Sequence, residues 1–139
     1  MPPMLRSLII KAVRMWFPRT EKYARVKKKA RKESPIYKQD GTVSKRKSVD
    51  YKCNICGEYF KSKDVEVDHI RPVVAVWSST SNMTLHQYIK MVDCPENNLQ
   101  LICSVCHKLK SSMERKLRSK KDNQGKPLKS KAKYTKKKK

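Results

Sequence analysis

Four of the chain's five cysteines stand in two Cys-x-x-Cys pairs, Cys53/Cys56 and Cys103/Cys106. Two such pairs make a tetrahedral zinc site, because each supplies two thiolates from one tight turn. Gly57, directly after the first pair, relieves the backbone strain of that turn. The opening residues do not have the form of a secretory signal, so a reducing compartment is expected, where paired cysteines are metal ligands before they are disulfides. Cys94 is read as a free thiol. Residues 57–102 lie between the pairs, a wide gap for a zinc ribbon, yet closure entropy grows only logarithmically with loop length. The gap and its far edge carry the remaining polar chemistry: Asp68-His69 ending a predicted strand, Asn98 just before the second pair, and His107 directly after it. His86 has no such company and is read as an ordinary surface or core histidine.

Standing in order as CNIC, VDHIRPV, NNLQLIC and CSVCHKLK, these motifs resemble the HNH endonuclease family over roughly residues 19–119. The likeness is to its small phage-encoded, homing-type members, in which a basic helix precedes the first knuckle. The resemblance implies an α+β fold: a small, zinc-stapled, treble-clef-like ββα-metal core. It also implies a metal-dependent endonuclease that hydrolyses DNA phosphodiesters, leaving 5′ phosphate and 3′ hydroxyl. A structural zinc saturated by Cys53, Cys56, Cys103 and Cys106 has no open position, so catalysis needs a second ion. Asp68 and His107 can supply an oxygen and an imidazole ligand to that ion. By similarity to the family, His69 is the general base, and Asn98 is either a metal ligand or a brace for the base. His69 follows Asp68 on a strand and so points to the other side, with strand twist expected to turn it toward the scissile phosphate. Some members carry a second helix histidine where this chain has Ser111, and a site poorer in nitrogen suits Mg²⁺ or Mn²⁺, with Ni²⁺ or Zn²⁺ as other candidates.

The elements that must hold these residues can be read from periodicity. Leu5, Leu8, Ile9, Val13 and Trp16 are close to helical spacing over residues 3–16, and Pro18 ends that helix. Thr20 is an N-cap for a second helix through about Lys32, crowded with cations that include Lys27, Lys28 and Lys29. Ser34-Pro35 ends it, and the stretch to Lys47, with Asp40-Gly41 inside, reads as linker. Val65, Val67 and His69 alternate with Glu66 and Asp68 in a short strand. Thr84 to about Val92 is a helix, and Trp77, Leu85, Tyr88 and Ile89 are read as core packing. A turn at Pro95–Asn98 leads to an apolar strand, Leu99–Ile102, and then to a long helix with Val105, Leu109, Met113 and Leu117 recurring along it. The organisation is thus a basic helical extension and linker (1–47), an HNH domain (48–119) and a disordered Lys-rich tail (120–139).

Charge names the partner class. Lys and Arg number 35 against 12 Asp and Glu, a formal +23, which opposes compaction and seeks a polyanion. Only 37% of residues are hydrophobic, so a small core needs a staple of the kind the cysteines offer. Double-stranded DNA is the expected partner, gripped by Lys27, Lys28, Lys29, Arg71, Lys108 and Lys110. A second copy of the chain or a phage protein remains open as a further partner, and no membrane association is expected. The expected location is cytoplasmic, in the host cell if the chain is phage-encoded. Two rivals share the composition: a non-catalytic zinc-dependent nucleic-acid-binding protein, and an RNA-binding protein. Because each phosphate contact releases counterion, deleting residues 120–139 should weaken DNA affinity and flatten its salt dependence while cleavage survives. Equal affinity of the truncated protein at every salt concentration would remove the tail from DNA binding.

Overall fold

The computed structural model describes residues 1–119, an α+β arrangement; the expected tail at 120–139 lies outside the described residues. The described residues form four α-helices, α1 (Pro3–Trp16), α2 (Glu21–Lys29), α3 (Leu85–Val92) and α4 (Ser104–Ser119), and two small antiparallel sheets. One sheet has the order β1 (Arg31–Tyr37), β2 (Val43–Lys52), β3 (Tyr59–Phe60). The other is the pair β4 (Val65–His69) and β5 (Leu99–Cys103), in register from Val65↔Cys103 to His69↔Leu99.

The β4–β5 pair is the centre of the molecule. α2 packs against it, as does α4. β5 is buried at all five positions: Leu99, Leu101, Ile102 and Cys103 are apolar, and the one polar side chain, Gln100, accepts from the Asn54 amide at 3.1 Å. On β4, Val65 and Val67 are buried and join a core with Phe17, Val26, Tyr88, Val92, Leu101 and Ile102. Glu66 and Asp68, at the alternate positions, reach His107 and Lys110 of α4 instead. Phe17 and Val26 lie in this core, so the N-terminal helices help to build the body that holds the two strands.

Local signals place the helices. The Thr20 hydroxyl accepts from the Tyr23 N–H, and Thr84 with Gln87 forms a full capping box on α3. α1 is tied to the long excursion between β4 and β5: the Arg14 guanidinium donates to the Tyr88 hydroxyl at 2.8 Å, and Arg6 donates to the Thr80 and Met83 carbonyls. Tyr88 is 2% exposed, and the Arg14 contact satisfies its one polar atom.

Three sequence expectations change. α2 stops at Lys29, short of Lys32, because Arg31 already pairs with Tyr51 in a strand. The stretch read as linker is the hairpin β1–β2, turning at Asp40-Gly41, where Gly41 takes φ +82° and Asp40 accepts from the Thr42 N–H. The recurring Val105, Leu109 and Met113 lie on the exposed side of α4, each more than 60% exposed, while Cys106, His107 and Lys110 face the strands. Trp77 and Ile89 are likewise exposed, and only Tyr88 of the expected group is fully buried.

Ile102→Ala should lower the unfolding free energy by about 2–5 kcal/mol, since Ile102 is fully enclosed. Leu109→Ala should change it by no more than about 0.5 kcal/mol. Denaturant midpoints measure both; comparable losses would return Leu109 to the core.

Candidate functional site

The four paired cysteines converge. Ligand sulfurs of Cys53, Cys56, Cys103 and Cys106 all lie within 4.8 Å of one another, and among the described residues no other group of three or more such donors is so gathered. The first knuckle is built by the turn Cys53–Gly57: the Gly57 N–H donates to the Cys53 carbonyl at 3.0 Å, with Gly57 at φ +79°. Asn54 locks this turn to β5, its N–H donating to the Leu101 carbonyl and its side chain to Gln100. The second pair spans the step from β5 into α4.

The electrostatics of the four sulfurs are those of a cation site. Burial alone would raise the Cys53 thiol, but N–H donors from Cys56, Cys103 and Ile55 outweigh it and bring Cys53 down to about 7. Cys106 moves the other way, up to about 12, through burial first and then the neighbouring sulfurs of Cys103, Cys53 and Cys56. One thiolate is favoured and the next is resisted; a cation at the centre lets all four ionise. The donor set fits zinc or a similar metal.

A cleft of about 880 Å³ lies beside this cluster, lined among others by Glu66, Asp68, His69, His107, Lys110 and Glu114. Of the sequence-predicted catalytic and metal-binding residues, Asp68, His69 and His107 share this cleft without converging on one point, while Asn98 lines a different one. Asp68 Oδ2 is 2.8 Å from the Lys110 ammonium, and Lys110 is also 2.8 Å from Glu114 and donates to the His69 carbonyl at 2.9 Å. Asp68 Oδ2 and Glu114 Oε1 are both buried, and Lys110 is the cation that faces each of them. His107 Nδ1 is paired with Glu66. Burial works against the charge on Lys110, but the facing carboxylates Asp68 and Glu114 prevail and raise its pKa above the ordinary lysine value.

His69 sits on the opposite side of β4 from Asp68. Its ring is 4.9 Å from that of Phe17, and Nε2 is 2.9 Å from the Val92 carbonyl. A carbonyl only accepts, so Nε2 carries the proton and a neutral His69 keeps its lone pair on Nδ1. The strand end is clamped just beyond it: the Ile70 N–H donates to the Asn98 carbonyl, and the Arg71 N–H to Asn98 Oδ1 at 2.9 Å. Asn98 therefore braces the backbone next to His69 through the side-chain oxygen a metal would otherwise use.

The cationic residues separate into two groups. Lys28, Arg71 and Lys108 are exposed and have no ion-pair partner among the described residues. Lys29 is bound to Glu96, and Lys27 to Ser62 and the Tyr51 ring. Lys110, expected at a phosphate, is 14% exposed and held inside the carboxylate network. Sequence reasoning missed Glu66 and Glu114; their signal was position, two residues before Asp68 on β4 and one helical turn after Lys110 on α4.

Removing metal with a strong chelator should unfold the β4–β5 root, seen as lost helical circular dichroism that zinc restores, and Cys53→Ala should mimic it. An unchanged melting curve after chelation would deny the cluster its structural role. Lys110→Met should cost about 3–5 kcal/mol by leaving two buried carboxylates uncompensated. Since folding raises the Lys110 pKa, its contribution is complete below the unfolded lysine value and fades as pH rises through the folded one, so the wild-type and Met curves should converge in strong alkali. Compared with known protein families, curated proteins and solved structures, the chain finds no match.

Proposed function

We propose that the chain is a metal-dependent DNA endonuclease of the HNH type, with β4, β5 and α4 as a treble-clef-like ββα-metal unit stapled by zinc. The observation that carries this reading is the shared cleft: a histidine of fixed tautomer, a largely buried aspartate and a helix histidine, the last next in sequence to Cys106 of the four-cysteine cluster. A binding module has no need of a histidine so oriented.

In this reading Asp68 and His107 hold a divalent cation, whose chemistry is to neutralise charge developing on the scissile phosphate and the leaving oxygen. Mg²⁺ or Mn²⁺ suits the oxygen-rich donors Asp68 and Glu66. His69 takes a proton from water at Nδ1 while Val92 holds Nε2. The water oxygen bonds to phosphorus, the bond from phosphorus to the 3′ oxygen breaks, and the departing oxyanion takes a proton from solvent, leaving a 5′ phosphate and a 3′ hydroxyl. Asn98 and Lys110 act on the backbone, fixing residues 69–71 so that the base meets the phosphate in one geometry. Arg71, Lys28 and Lys108 are exposed for contact with the DNA backbone.

One observation favours the rival, a zinc-dependent nucleic-acid-binding protein without catalysis: Asp68 and His107 are each already paired, with Lys110 and Glu66. Cleavage separates the two. Plasmid incubated with protein and Mg²⁺ or Mn²⁺ should be nicked, and EDTA should stop it. His69→Ala should lower the rate by about 10²–10⁴-fold while leaving DNA affinity intact. Salt-sensitive binding without cleavage under any divalent metal would establish the binding protein instead.

A further inference from the structure

The hairpin β1–β2 is the feature of the fold that the proposed chemistry does not use. Its base is anchored: Lys52 donates to the Ala30 carbonyl, and β3 pairs with β2 only at Tyr51 and Lys52. Beyond Asp50 the ribbon has no third strand among the described residues, where both its edges are unpaired and nearly every residue from Arg31 to Lys47 is exposed. Its free strand, Val43–Ser48, extends roughly 20 Å from the body at the usual rise. A two-stranded ribbon of this kind is marginal in water when nothing covers it.

Charge indicates what covers it. Residues 31–47 hold six cations against two acids. Glu33 is neutralised within the hairpin by Arg31 and Lys47, and Asp40 is occupied by Thr42 in the turn. That leaves Lys32, over the Tyr59 ring at the base, and Lys38, Lys45 and Arg46 farther out, all exposed and without ion-pair partners among the described residues. Between these cations, near the turn, stand the exposed apolar residues Ile36, Tyr37 and Val43, with Tyr37 66% exposed. A partner that is anionic along two walls and less polar between them fits this layout. Duplex DNA is such a partner: its major groove is about 12 Å wide between phosphate backbones and admits a two-stranded ribbon.

We infer that the β1–β2 hairpin is a DNA-binding arm, entering the major groove with Lys38, Lys45 and Arg46 on the phosphates and Tyr37 facing the groove floor. The inference rests on DNA being the substrate and adds a second contact surface, on a different sheet from the cleavage site. Its consequence is a division of labour: the arm sets affinity and placement, and the β4–β5 unit performs the chemistry.

The test uses the full chain and a 30-base-pair duplex of mixed sequence, with affinity measured across a salt series. Lys45→Gln/Arg46→Gln should lower affinity by about tenfold or more near physiological salt and reduce the salt slope by roughly two, one for each lost phosphate contact. Lys45→Arg/Arg46→Lys should keep both. Dimethyl sulfate reports on guanine N7 in the major groove: wild type should protect it, and the Gln variant should lose that protection. Zinc content and melting temperature confirm that each variant is folded. Unchanged affinity and slope in the Gln variant, with wild type binding the duplex, would overturn the arm alone. Equal losses on single strands and duplex, without groove protection, would overturn groove entry. A wild-type protein that does not bind the duplex overturns both the arm and the nuclease reading.

Discussion

The convergence of four sulfurs is the constraint on which the other placements depend. Cys53 belongs to a turn before β4, and Cys103 ends β5 at the point where α4 begins. Joining them fixes the start of α4 relative to both strands, and with it the face that presents His107, Lys110 and Glu114 to Glu66 and Asp68. A body this small and this cationic has little apolar area to do the same work. The core residues around Ile102 fill the space between α2, the two strands and α4, but the cluster determines where that space is.

Within that frame, two clamps act on the end of β4. Lys110 holds the His69 carbonyl from the α4 side, and Asn98, just before β5, holds the Ile70 and Arg71 amides. The imidazole is then oriented by the Val92 carbonyl and enclosed by Phe17, so groups from α1's end, α3 and α4's face all meet at one histidine. Several elements thus fix the position and tautomer of one side chain.

Much of this was legible in the sequence where the signal is local. Cysteine spacing, the alternation from Val65 to His69 and the Thr20 cap depend on neighbours a few residues away, and each predicted its element. The hairpin was not legible because a ribbon exposed on both faces has no inside to alternate with outside, and Ser34-Pro35 with Asp40-Gly41 reads equally as loop. The inner face of α4 was not legible either, for a different reason. Apolar residues recur at Val105, Leu109 and Met113, yet the strands present Glu66 and Asp68, so the helix meets them with His107, Lys110 and Glu114. Charge complementarity between distant segments outweighed the local apolar pattern, and no window of a dozen residues contains both partners.

The most direct measurement of the central claim is anomalous diffraction from crystals of the full chain grown with zinc and soaked in Mn²⁺. The account predicts zinc among the four sulfurs and manganese at Asp68 and His107, with Lys110 displaced from Asp68. Zinc alone, with the Asp68–Lys110 pair intact at saturating Mn²⁺, would contradict it and leave a stapled nucleic-acid-binding protein.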